Sequence, residues 1–151
     1  MALNTELIGK EYAPHTIMVE REHVLGFARA IAEDAPVIVD AEAARAAGYT
    51  DQLAPPTFVT TMQIMSSAQI VADPELGLDY ARVVHGEQAY EWHRPIHVGD
   101  SLTAVPRIAD ISSKGPLEFL VIEAEIKDAV GETVVTARTT LLSRGTAGGG
   151  E

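Results

Sequence analysis

The sequence contains no cysteine. Without thiols there is no disulfide staple, no thiolate metal site and no cysteine nucleophile, and the absence fits a reducing compartment. Aromatic residues are also scarce, at 5% of a chain that is 46% hydrophobic, so the core must be mostly aliphatic. Basic residues are outnumbered, with 11 Lys and Arg against 22 Asp and Glu and a net charge of -11. No Lys/Arg cluster offers the basic face that nucleic acid or an anionic membrane surface requires. No apolar run approaches the roughly 20 residues that span a bilayer. The segment Met1 to Lys10 lacks a basic stretch followed by an apolar one, the mark of a signal peptide. A cytoplasmic protein with no nucleic-acid or membrane partner is expected.

What remains, 151 residues, makes one ordinary domain able to bury a core. The domain is expected over residues 1–144. The tail Gly145 to Glu151, with four glycines and no large apolar residue, is expected to be disordered.

The first half reads as helix. Glu20 to Glu33 places Val24, Phe27, Ala28 and Ile31 on one stripe, and Asp34-Ala35-Pro36 stops it. Asp40 to Ala47 is a short helix, with Asp40 as a cap and Gly48 past its end. Pro55-Pro56-Thr57 opens a third helix to Val71, closed by Asp73-Pro74. Phe58 to Val71 carries no charge, which predicts a helix enclosed by other elements. Gln63 and Gln69 on it need partners if buried, and a partner subunit is the expected source.

The second half reads as strands. Four are expected: Ala81 to Arg94, Ser101 to Ile111, Leu117 to Lys127 and Glu132 to Ser143. Turns at Val98-Gly99-Asp100, at Ser113 to Pro116 and at Asp128 to Gly131 would join them as an antiparallel meander. Pro106 predicts an edge or a bulge in its strand. Leu120, Ile122, Ala124 and Ile126 alternate with Glu123, Glu125 and Lys127, the pattern of a half-buried strand. The fold class is α+β: an antiparallel sheet wrapped around one long helix, its open edges and apolar surface needing a second copy or a partner.

Several spaced motifs carry a family resemblance. Ile8-Gly9-Lys10-Glu11-Tyr12, Val19-Glu20-Arg21-Glu22, Ala46-Ala47-Gly48-Tyr49, Ala54-Pro55-Pro56-Thr57-Phe58, Val84-His85-Gly86-Glu87-Gln88 and Arg94-Pro95-Ile96-His97-Val98-Gly99-Asp100 occur in order between about Ala2 and Arg144. Together they resemble MaoC-like hot-dog dehydratases. The nearest likeness is the N-terminal-type domain: the A-type subunit of actinobacterial (3R)-hydroxyacyl-ACP dehydratases and the first half of two-domain hydratase-2 enzymes. The resemblance implies a hot-dog fold, side-by-side pairing, an acyl chain held between central helices, and reversible water addition across a trans-2-enoyl thioester carried by CoA or an acyl carrier protein. No pair of histidines has a metal-ligand spacing, so no metal is expected, and no cofactor is expected either.

Catalytic relatives carry an Asp-x-Asn-Pro-(Ile/Leu)-His segment whose Asp and His exchange protons with substrate and water. Here the segment reads Glu33-Asp34-Ala35-Pro36-Val37-Ile38, with isoleucine where histidine should stand, and no Asp in the chain has His five residues later. The resemblance therefore implies an acyl-binding subunit whose catalytic Asp and His come from a B-type MaoC partner. Two alternatives stay open: a complete homodimeric hydratase, and a non-enzymatic acyl-CoA-binding protein.

For the homodimer the candidates are His85 as general base and Glu87 as its orienting carboxylate. On a regular strand the two share one side, with Gly86 and Gln88 on the other. Substrate-binding candidates are Thr57 near the free N–H groups of the helix start, Phe58, Met62 and Met65 along an acyl tunnel, Gln88, and Trp92 with Arg94 for the adenine or phosphates of CoA. Arg82, Arg94 and Arg107 are the candidates for a local basic patch that an acidic carrier would need.

Overall fold

The computed structural model describes residues 2–144; the expected disordered tail lies outside the described residues. The elements are β1 (His15–Met18), α1 (Arg21–Ala30), α2 (Pro36–Val39), α3 (Ala41–Ala46), α4 (Val59–Val71), β2 (Val83–Trp92), β3 (Ser101–Lys114), β4 (Leu117–Lys127) and β5 (Thr133–Arg144). The five strands form one antiparallel sheet in the order β1-β3-β4-β5-β2, and α4 lies against β1, β3, β4 and β5. This is the expected α+β hot-dog arrangement.

Two features depart from the expected meander. β3, β4 and β5 do form one, but β2 pairs with β5 at the far edge and not with β3. Val98-Gly99-Asp100 is a turn, since the Asp100 N–H donates to the His97 carbonyl at 3.1 Å and Gly99 has φ +94°. It belongs to the crossover from β2 to β3, however, and not to a hairpin. The other departure is β1, which was not expected: a strand of four residues reads too weakly in sequence to separate from a loop.

Local chemistry explains the remaining boundaries. α1 ends earlier than expected, because Ala32 takes a left-handed conformation at φ +56° and the Glu33 N–H turns back to the Ala28 carbonyl at 2.8 Å. Asp40 caps α3 as expected, accepting from the N–H groups of Glu42 and Ala43 at 2.8 and 3.4 Å. Pro106 stands at neither bulge nor outer edge. Its carbonyl accepts from the Tyr12 N–H at 2.9 Å, so its nitrogen faces the same side, beyond the residues of β3 that β1 pairs. The proline thus removes no ladder hydrogen bond.

The core forms two aliphatic clusters joined by α4, with Met62 in one and Ile70 in the other. Leu120, Ile122, Ala124 and Ile126 are all buried on one face of β4, as the alternation predicts. The opposite face of α4 is open: Ile64 is 66% and Met65 58% exposed, so the uncharged helix is enclosed on one side only.

A polar clamp ties the N-terminal segment to the end of α4. Asp73 accepts from Lys10 Nζ at 2.8 Å and from the Tyr12 hydroxyl at 2.7 Å. The Lys10 hydrogen bond, followed by that of Tyr12, holds the Asp73 carboxyl at about 2, below its ordinary 3.8. Burial, then the bond to Asp73, pushes Tyr12 up to about 12. Because the folded value of Asp73 is depressed, the clamp stabilises above about pH 4 and that contribution is lost as pH falls toward about 2. Asp73→Asn should lower the melting temperature at neutral pH and flatten its fall between those two values, as read by thermal melts across the acid range.

Candidate functional site

One cavity flanks α4 and a second lies ahead of its start. The larger, about 510 Å³, lies between α4 and the β2–β5 pair. His85 and Gln88 both line it, together with Thr60, Gln63 and Ser67 of α4 and Thr139 of β5. Glu87 does not, and the reason is a β-bulge. His85 pairs with Leu141, but Glu87 pairs with the very next residue of β5, Thr140, leaving Gly86 as the extra residue. The bulge turns Gln88, opposite Thr139, onto the side of His85 and sends Glu87 to the other side. The expected His85–Glu87 pairing on one side is therefore corrected to His85–Gln88. Gly86 permits the close approach: a Cβ there would meet Leu142 Cδ1 at 2.0 Å and the Thr140 carbonyl oxygen at 3.3 Å.

A hydrogen-bonded relay crosses this cavity wall. The Thr139 hydroxyl donates to Gln88 Oε1 at 2.7 Å, and His85 Nε2 lies 3.1 Å from the same oxygen. Gln88 Nε2 in turn donates to Gln63 Oε1. Thr60 and Tyr90 join their hydroxyls beside it. Gln63, one of the two helix glutamines expected to face a partner, thus meets β2 of its own chain. Gln69 donates to the Ala13 carbonyl at 2.6 Å and holds the N-terminal segment.

The smaller cavity, about 410 Å³, opens at the start of α4 and is lined by Ile38, Leu53, Ala54, Pro56 and residues 92–96. Ile38, where catalytic relatives carry histidine, is buried in this apolar wall. Its backbone carbonyl accepts from Gln52 Nε2 at 2.8 Å. Glu33, at the position of the Asp, turns its carboxylate back onto the Ala35 N–H at 2.9 Å. The segment thus holds a glutamate bonded to backbone at one of the two positions and a buried isoleucine at the other.

The remaining candidates divide. Trp92 and Arg94 line the smaller cavity, but Arg94 is not a free cation: its guanidinium bonds Asp100 at 2.8 and 3.1 Å and reaches Asp128 at 3.4 Å. The Asp100 hydrogen bond raises its pKa further. The Arg94-to-Asp100 motif is thus a clamp that closes its own loop. Arg82 pairs with Asp79 at 3.3 Å and Arg107 with Glu123 at 2.6 Å, so all three arginines of the expected basic patch already hold carboxylates. Phe58 is buried edge-on to Phe27, with ring centroids 5.6 Å apart, and Met62 is core; neither lines a cavity described above. Met65 faces outward, and Thr57 is exposed without capping α4. The residues that sequence reasoning missed as site residues are Gln63, Ser67, Thr60 and Thr139. For the first two, the signal was polar residues four apart on a helix without charges.

This fold has known counterparts. A family model described as FAS1-like, dehydratase domain region, matches residues 6–137. The chain belongs to this family of MaoC-like hot-dog dehydratase domains. At closer range it is 47% identical over 148 residues to a UPF0336 protein of Saccharopolyspora erythraea, covering 97% of this chain and 95% of that protein. Among solved structures, it matches the C-terminally truncated HadBC (3R-hydroxyacyl-ACP dehydratase) complex of Mycobacterium tuberculosis with a TM-score of 0.83 and 30% identity, over 93% of this chain and all of that one. A MaoC-like dehydratase matches with a TM-score of 0.84 and 28% identity, over 91% of this chain but 42% of its own length.

Proposed function

We propose that this chain is the acyl-binding subunit of an (R)-specific 3-hydroxyacyl-thioester dehydratase, working in either direction with a hot-dog partner that supplies the Asp and His. The observation that carries the reading is Ile38, buried beside the smaller cavity where the dyad's histidine would stand. Isoleucine moves no proton, and the Glu33 carboxylate accepts from the Ala35 N–H at 2.9 Å. The larger cavity, apolar over most of its wall, suits an acyl chain. The open face of α4 and the unpaired edge of β2 are where the partner docks, with Ile64, Met65, Tyr80 and Val84 exposed there. The partner is a second hot-dog subunit, because only another copy of the fold brings an equivalent loop with the missing dyad. The HadBC counterpart, itself a complex, supports the same arrangement.

One observation favours a second reading, a homodimeric hydratase: His85 lines the cavity within hydrogen-bond reach of Gln88. The test is His85→Ala assayed by enoyl-CoA hydration, in the chain alone and in the chain combined with a dyad-bearing partner. We expect a loss below about tenfold, whereas removing a proton-transfer group costs about 10²–10⁴-fold. A loss in the larger range would favour the second reading.

A further inference from the structure

The two cavities lie in line along the seam between α4 and β2. On the helix side, Pro56 lines the smaller one, and Thr60 and Ile64, one and two turns further on, line the larger. On the strand side the same order holds. Trp92 lines the smaller cavity and Gln88 the larger. Tyr90, two residues from each, shares their face of β2, and its ring packs against the core. The Tyr90 and Thr60 hydroxyls are hydrogen-bonded to each other. That pair crosses the seam where one cavity ends and the other begins.

The closure is weak enough to open. The Tyr90 hydroxyl has no other hydrogen-bond partner among the described residues. A threonine on a helix can turn its hydroxyl to the carbonyl one turn back, so Thr60 keeps a partner when the pair parts. A side-chain hydrogen bond contributes little net, so parting it costs a factor of about five. The other link across the seam, Gln88 with Gln63, lies in the wall of the larger cavity and not between the two. A chain that starts beside Ile38 and fits the smaller cavity leaves the pair closed. A longer chain reaches the apolar walls beyond, at Ile64, Val71, Val83 and Leu141, only by parting it.

Resting on the acyl-binding reading above, with the thioester end at the smaller cavity, we propose that the Thr60–Tyr90 pair is a bar that sets acyl chain length. Closed, it confines a short chain to the smaller cavity; parted, it joins the two cavities into one channel for a long chain.

The test is calorimetric titration of the full chain with hexanoyl-CoA and with dodecanoyl-CoA. Tyr90→Phe keeps the ring and removes the hydroxyl, so the long chain no longer has a bond to break. Its affinity for dodecanoyl-CoA should rise about fivefold, the scale of one net hydrogen bond, with hexanoyl-CoA unchanged. Thr60→Ala removes the same bond from the helix side and should give the same split, so the proposal stays testable if either variant fails to fold. Equal changes for both probes would mean that the pair only shapes the fold, and would overturn the proposal. If both probes bind and neither affinity changes, or dodecanoyl-CoA weakens, the bar is not in the chain's path; the proposal falls and the acyl-binding reading stands. No binding of either probe by the unsubstituted chain overturns the acyl-binding reading, and this proposal with it.

Discussion

Replacing Ile64 and Met65 together by aspartate should leave the chain folded and abolish its pairing with a hot-dog partner. The two side chains are 66% and 58% exposed, so their loss removes little from the core. In the paired state they would lie on the open face of α4 against the neighbouring subunit. There, two carboxylates would be stripped of water with no cation supplied for them. Central apolar contacts dominate interface energetics, and the pairing should weaken by roughly a hundredfold or more. Light scattering of the mixed subunits reads the loss, and a thermal melt of the isolated variant confirms the fold. Unchanged pairing would place the partner on another surface.

Met62→Ala should act in the opposite way, through stability. Met62 is 1% exposed and sits in the cluster with Val59, Leu102, Ala104 and Ile126. Truncation leaves a void on the sheet side of α4 and should cost about 2–5 kcal/mol. For a chain of this size that corresponds to a fall in melting temperature of roughly 5–15 °C. A variant that melts normally and binds acyl-CoA weakly would return Met62 to the acyl tunnel where its sequence position first suggested it.

Both predictions turn on which face of α4 a residue occupies, and that was only half legible in sequence. The absence of charge from Phe58 to Val71 correctly marked a helix pressed against a sheet. It could not show that one face stays open, because an interface between subunits is as uncharged as a core. The alternation of β4 and the cap of Asp40 were readable, since each rests on contacts close in sequence. The position of β2 beside β5 was not, because strand order depends on contacts about fifty residues apart, such as Gln88 with Thr139.

The site shows the same limit. The lack of the Asp–His dyad was visible directly. The bulge at Gly86 was not, and a single extra residue inverted the expected faces of Glu87 and Gln88. The glycine was the one hint: a residue without Cβ, followed by two polar side chains on a strand. Arg94 misled for a different reason. A cation in a loop reads as a ligand for phosphate until the acids that neutralise it, Asp100 and Asp128, are seen beside it.

A chain that binds the acyl group and borrows its proton-transfer groups should turn over substrate only with a partner. The most direct measurement is hydration of a trans-2-enoyl-CoA by the purified chain, alone and after mixing with a hot-dog subunit that carries the intact Asp-x-Asn-Pro-(Ile/Leu)-His segment. Turnover is expected in the mixture, with a rate at least about 10²-fold lower for the chain alone. Full turnover by the chain alone would contradict it and make His85 the first residue to replace.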